Sequence, residues 1–530
     1  MKVIRILFSI ILINIAICGY TQDGLNNPIT KAMMKVYQQL LDADPQDYET
    51  YYKRANEYYN HNQYAKALSD INNALKYMPE QNKDLRFESL CLRASIYEVI
   101  EDFENALNDL NKAYVLDSDS YTLLYRKANA EYLLKRYNDA KIDYQRMLRI
   151  NNRSTEALIG LSRIAVIEDN YAVANEFADK AVEINPHNSD VYIRRASIRK
   201  SMGNNNGAVE DLIITISSND NNSKALSELV EMSKLDYTAV INGLTNAIKQ
   251  APKVSSLYYI RGIIAKAHYK YTDALIDFNS IIHDNRQNYH GIYFEIAECL
   301  YALSRYHDGL NSINIAIELK TDNCKYFELK AKLLRALEQL PEALKNCDIA
   351  IENNSNFTPA ISTKGLCYEN MGNYTQAYSL YGEALLNEAH NPYNYLLRAH
   401  LLNTHLNKPS EAKMLYERIL EIEYDDNNAE SLKGFAHLAL NDNNAAINWI
   451  ENVLSNNNDT NGRINYIAAC LYAQLGLNDR AIVCMSNSLQ KGYANYHQWL
   501  YDTDIDVNVA PIRNSKQFTE LLSKYSSIFN

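Results

Sequence analysis

The chain has 530 residues, a formal net charge of −11, and is 22% charged and 47% hydrophobic. An acidic balance without clustered Lys and Arg excludes nucleic acid as a partner, since phosphate binding depends on such clusters. Length alone suggests several domains, but only 16 Gly and 10 Pro punctuate the chain and no segment alternates with a strand's period, so one continuous helical body is expected.

At the N-terminus, Lys2 and Arg5 precede an apolar run from Ile6 to Cys18 that only Ser9 and Asn14 interrupt. This reads as a secretory signal over residues 1–21, with small residues in Gly19-Tyr20-Thr21 before the cut and Gln22 after it; Ala16-Ile17-Cys18 is a second cleavage option. The run is shorter than the roughly 20 apolar residues of a membrane span. Acylation of Cys18 would require a small residue where Ile17 stands, so a lipoprotein is disfavoured. The expectation is an exported chain, periplasmic or outer-membrane associated, soluble or peripherally attached to the membrane. Residues 22–47 then read as an N-terminal capping helix, Met33 to Leu41, ended by Asp44-Pro45.

From there a small residue returns every thirty-four positions: Ala94, Ala128, Ser162 and Ala196, then Ala297, Ala331, Gly365 and Ala399. A second series follows twelve residues behind, with Ala106, Ala140, Ala174, Ala208, Ala343 and Ala377. A third, seven further on, has Ala113, Ala181, Ala316, Ala350 and Ala384. Between the beats the apolar spacing is helical, and Met202-Gly203-Asn204, Met371-Gly372-Asn373 and Leu475-Gly476-Leu477 mark left-handed helix ends. Each unit is therefore two short antiparallel helices. Small side chains let the axes approach, so the Ala128 and Ala140 positions predict contact within one hairpin, and Ala113 contact with the next. A single pair cannot bury its apolar face, so neighbours must stack.

This triplet, with a large apolar residue four before the first Ala and Pro at the ends of some units, resembles the tetratricopeptide (TPR) family. Tyr51, Ala55, Tyr58, Ala67, Ile71, Ala74 and Pro79 carry it in the first unit, and Ile361, Gly365, Tyr368, Ala377, Tyr381 and Ala384 in the tenth. The resemblance implies an all-α, right-handed superhelical solenoid of about thirteen repeats with terminal caps. Repeats 1–5 would occupy 48–220, repeats 7–10 residues 255–391, and repeats 11–13 residues 392–492. Residues 221–254 form a degenerate sixth repeat, two residues short, with Glu228 where the first small residue belongs. Repeat eleven carries an extra residue around Lys408-Pro409-Ser410. The superhelix is expected to bend or break at one of these two places. A C-terminal cap follows at 493–530, with Trp499-Leu500, Asp502, Asp504, Ile505, Phe518 and Leu521-Leu522.

No catalytic constellation stands out. There is no nucleophile elbow, no phosphate-cradling Gly-rich loop and no His-Glu-x-x-His string. His400 and His405 are five apart, a spacing that splays two side chains on a helix. Glu421, Glu423, Asp425 and Asp426 form an acidic knot lacking the Gly and spacing of a calcium loop. No metal and no cofactor is therefore expected. The cysteines other than Cys18 fall mostly at helical core positions, and only Cys324 lies near a unit boundary.

What remains is the surface. In TPR proteins the inner face is made by side chains two, five, nine, twelve and thirteen into each repeat. In this chain that rule selects Tyr52, Asn56, Tyr59, Tyr125, Asn129, Tyr132, Arg163 and Lys200 as candidate peptide-binding residues. A polar groove lined by tyrosines suits an extended peptide. The family's chaperone-tail clamp is not reproduced, because Tyr52 stands where its Lys would be. The expected function is a non-enzymatic scaffold for a partner protein or peptide, without a small-molecule substrate; the alternative is an accessory subunit of an envelope secretion or enzyme complex.

Overall fold

The computed structural model describes residues 28–218, 222–282, 289–423, 432–456, 459, 461–495, 497 and 509–529. The secretory segment, Cys18, Asp425, Asp426 and the stretch from Trp499 to Ile505 lie outside them. Among the described residues every regular element is a helix, and the order is a repeating helix-turn-helix array of TPR type. Two compact units divide at Asn204 and Asn205, in the turn of the fifth helix pair and one helix ahead of the short sixth repeat.

The typical hairpin has a 13-residue first helix, a three-residue turn and a 14-residue second helix, as in Tyr121–Leu133 and Tyr137–Ile150. Short polar residues start these helices by accepting a bond from an otherwise orphaned backbone N–H. Ser120 accepts from Leu123, Ser154 from Ala157 and Asn373 from Gln376. Asn82, Asn170, Asn188, Asn222, Asn323 and Asn391 do the same at other helix starts. The first helix of the second repeat is longer than the others, seventeen residues, and begins at Lys83 with Asn82 as its cap.

Each turn needs a residue in the left-handed region. Gly203, Gly372 and Gly476 supply it at φ of 76°, 75° and 73°, and non-glycine residues do so in the other turns, including Glu101 at 61° and Lys135 at 61°. The turn geometry thus overrides residue preference, at a cost of about 1 kcal/mol or more per side chain. The sixth repeat avoids this cost. Its helices Ser223–Leu235 and Tyr237–Gln250 are of ordinary length, and Asp236 alone joins them, so both missing residues are turn residues. Repeat eleven shows the reverse. Its turn has four residues, His405 to Lys408, between helices Pro392–Thr404 and Pro409–Glu421.

The small-residue series lie where the helices cross. Ala128 and Ala140 are fully buried, and Ser162 Oγ donates to the carbonyl of Ala174, joining the first series to the second at 2.9 Å. A Cβ on Gly365 would come within 2.5 Å of the Tyr381 ring, and one on Gly262 within 2.7 Å of Phe278. Ala113 packs with Leu123 of the next hairpin.

A fourth periodic pattern is charged and was not anticipated. Arg54, Arg93 and Arg261 on first helices each grip, in two-pronged fashion, the buried aspartate sixteen residues on, Asp70, Asp109 and Asp277, at 2.6–2.9 Å. Their remaining nitrogen reaches back to Gln38, Asn72 and Thr245 respectively, on the preceding helix. Each arginine therefore ties its own hairpin together and to its neighbour. Lys127 repeats the pattern with Asp143.

At the N-terminal end, helix Pro28–Ala43 covers the first hairpin with Tyr37 and Leu41 buried. In the second unit the end of the array returns to repeat seven: the Ala494 N–H donates to the carbonyl of Tyr269 at 3.2 Å, and the Tyr269 and Tyr493 rings lie 4.7 Å apart. Helix Lys516–Lys524 buries Phe518 in the same core, and Thr272 Oγ1 donates to the carbonyl of Ile528. All seven described cysteines are free thiols, five of them buried; Cys91, like Cys324, is only half-buried.

Replacing Ala128 by Leu inserts three carbons into a filled helix crossing, and urea denaturation should show a loss of about 1–3 kcal/mol. An unchanged midpoint would mean that Ala128 does not lie at the crossing.

Candidate peptide-binding surface

The eight residues selected from the sequence all belong to the first unit. Tyr52 is half-buried; burial first, then the charge of Glu88, pushes its phenol up to about 12. Asn56 is exposed, and Tyr59 meets Tyr64 edge-on with ring centroids 6.0 Å apart. Tyr125 is exposed; Asn129 and Lys200 are half-buried. Two of the eight come together closely: the Arg163 guanidinium lies 3.9 Å from the centroid of the Tyr132 ring, a cation–π arrangement.

The geometry adds a residue that the family's inner positions omit. Arg194, in helix Ser189–Ser201, faces Arg163 in helix Thr155–Ile167. Its pKa is lowered, by burial first and then by the Arg163 charge, with Tyr132 and Asp190 drawing the other way. Burial and a neighbouring like charge both disfavour the charged form.

At two other joints a cation at this level meets a carboxylate of the neighbouring repeat. Between repeats two and three, Arg126 donates to both Glu98 oxygens at 3.1 and 2.9 Å and to Ser95 Oγ at 2.8 Å. Between repeats seven and eight, Lys266 pairs with Glu295 and with Glu298, the latter at 2.7 Å. Between repeats four and five, Arg163 takes the place of Ser95 and Val166 that of Glu98. Among the described residues neither Arg163 nor Arg194 has a carboxylate within ion-pair distance. The sequence signal for Arg194 was its alignment with Arg126, thirty-four residues per repeat away.

Beneath this patch, the Tyr144 ring is buried against Gly160, where a Cβ would come within 2.4 Å. Burial raises its phenol, and the Arg163 charge opposes the rise. Further along the same hairpin Lys127 bonds Glu131 at 2.5 Å as well as Asp143. Burial pushes the Glu131 carboxyl up to about 7, partly offset by Lys127 and reinforced by the Asp143 charge.

The fold thus defines a class: an all-α array of TPR-type hairpins. No family model matches the chain. A curated protein, the DnaJ homolog subfamily C member 7 homolog of Schizosaccharomyces pombe, is 21% identical over 319 residues, or 56% of this chain; the match spans 62% of that protein's length. Among solved structures, yeast Tom70 is 16% identical with a TM-score of 0.35, covering 74% of this chain and 95% of its own. YrrB, described as a TPR protein with an unusual peptide-binding site, is 19% identical with a TM-score of 0.31, covering 37% and 98%. A tetratricopeptide repeat protein from Parabacteroides merdae is 19% identical with a TM-score of 0.34, covering 48% and 99%.

Because the folded state holds the Glu131 proton more tightly than the unfolded chain does, its contribution to stability is fully present below the ordinary carboxyl value of 4.5 and is lost as pH rises through about 7. Urea midpoints of the wild type should therefore fall between pH 5 and pH 8 relative to those of Glu131→Gln. Parallel pH profiles for the two proteins would show that Glu131 is not held in this way.

Proposed function

We propose that the chain is a non-enzymatic scaffold whose first unit binds an extended, acidic segment of a partner protein. The observation that carries this reading is the pair Arg163 and Arg194, two half-buried guanidiniums near the Tyr132 ring, neither within ion-pair distance of a carboxylate among the described residues. A carboxylate from a bound peptide would supply there what Glu98 supplies to Arg126. Arginine holds such a group through two parallel hydrogen bonds, and the neighbouring Tyr125 and Asn129 offer an aromatic surface and a backbone-bonding amide. The net charge of −11 sharpens the preference, since an acidic segment would be repelled by most of the surface and drawn to this patch.

The same reading places the protein in the cell envelope, on the strength of Lys2, Arg5 and the apolar run to Cys18. Among the described residues no helix is long and apolar enough to cross a membrane.

Peptide display against the full-length chain tests the binding claim. Selected peptides should share an Asp or Glu, and Arg163→Ala or Arg194→Ala should each weaken them by about tenfold or more, as expected for a charge-assisted hydrogen bond. The loss should shrink in high salt. Selection with no acidic preference, or affinities indifferent to both substitutions, would overturn the proposal.

A further inference from the structure

Two histidines that the sequence sets five residues apart, and that a continuous helix would splay, converge in the second unit. Helix Pro392–Thr404 carries His400 and ends one residue before His405, whose backbone N–H still donates to the Leu401 carbonyl. The chain then makes a four-residue turn, and the His405 ring comes back beside Glu369 of helix Thr358–Asn370. Glu369 Oε1 stands 3.9 Å from His400 Nε2 and 3.7 Å from His405 Nε2. One ligand atom from each of the three residues lies within 4.8 Å of the other two.

These separations are too long for hydrogen bonds, which close to about 2.8 Å when a charged imidazole meets a carboxylate. They are near the spacing of atoms that share an ion: bonds of about 2.0–2.1 Å in tetrahedral zinc hold neighbouring ligands roughly 3.3 Å apart. Small ring rotations would close the difference.

The groups around the three are arranged as supports for ligands. Tyr381 Oη donates to Glu369 Oε2 at 2.6 Å, which leaves Oε1 turned to the histidines. The Tyr374 ring stacks on His405 at 4.3 Å and 9°. Fixing of a ligand's orientation by outer partners is a general feature of metal centres. His400 is buried, Glu369 half-buried and His405 exposed, so one side of the cluster opens to solvent.

We propose that Glu369, His400 and His405 bind one divalent transition-metal ion between repeats ten and eleven. Two imidazoles and a carboxylate suit Zn²⁺, Ni²⁺ or Co²⁺. Cys367, two residues from Glu369, packs instead with Cys347 in the core, so no thiolate joins the set. Three protein ligands leave at least one coordination position for water or a partner's side chain. The ion would clamp two adjacent hairpins, one contributing Glu369 and its tyrosine supports, the other both histidines.

The test uses the untagged full-length chain stripped with chelator, then titrated with Co²⁺ in the visible spectrum and with Zn²⁺ by calorimetry. One ion per chain is expected, with weak d–d bands and no thiolate charge-transfer band. His405→Ala, at an exposed position where folding should survive, and Glu369→Gln should each weaken binding at least tenfold. Tyr381→Phe should keep the stoichiometry with a smaller loss. Absence of binding at millimolar Co²⁺ and Zn²⁺, or equal affinity in His405→Ala with an unchanged circular dichroism spectrum, would overturn the proposal.

Discussion

The structure depends on the close approach of two helices at a pair of small residues. Ala128 against Ala140 and Ser162 against Ala174 let the backbones meet, and the larger side chains around them then fill one continuous seam. Leucine-sized residues at these positions would hold the helices apart and leave voids along their length, which interiors packed to crystal-like density do not tolerate. Gly365 under Tyr381 shows the same constraint from the other side, since the ring occupies the space where a Cβ would be. A contact needed once in every hairpin must recur at the hairpin's period. That is why thirty-four residues is the beat of the chain.

Charge follows the same geometry. The arginines at Arg54, Arg93 and Arg261 cross from first to second helix to reach a buried aspartate, and their third nitrogen spans the joint to the preceding helix. Such pairs contribute little net stability against a well-packed apolar alternative, but removing one partner leaves a charge unmatched, so they favour one register of stacking over others. At two joints, between repeats two and three and between repeats seven and eight, Arg126 with Glu98 and Lys266 with Glu298 join neighbouring repeats by charge. Arg163 and Arg194 depart from this pairing. A position that is neutralised at two joints and doubly cationic at another is where the array becomes particular rather than repetitive.

The hairpins were legible because a nearest-neighbour architecture writes its contacts into a fixed spacing, and Ala106, Ala140 and Ala174 repeat it without a gap. The left-handed turn position was legible only at its glycines; Glu101 and Lys135 adopt it under the pull of the hairpins on either side. Arg194 was overlooked because position six belongs to the joint between repeats, outside the set of inner positions that the family resemblance supplied. The extra residue before Pro409 was visible as an insertion, but the approach of His405 to Glu369 depends on where a helix ends. The contact of Tyr493 with Tyr269 spans more than two hundred residues and has no periodic trace, since the period encodes only adjacent units.

Excision of one whole period tests the central claim most directly. Ser120 and Ser154 cap successive first helices in the same way, so removing residues 121–154 joins Ser120 to Thr155 with the cap restored. The shortened chain should keep its mean residue ellipticity at 222 nm and unfold cooperatively, whereas removing only residues 121–137 should not leave a folded first unit. Loss of cooperative unfolding in the full-period deletion, or equal behaviour of the two deletions, would contradict an array built on a thirty-four-residue contact.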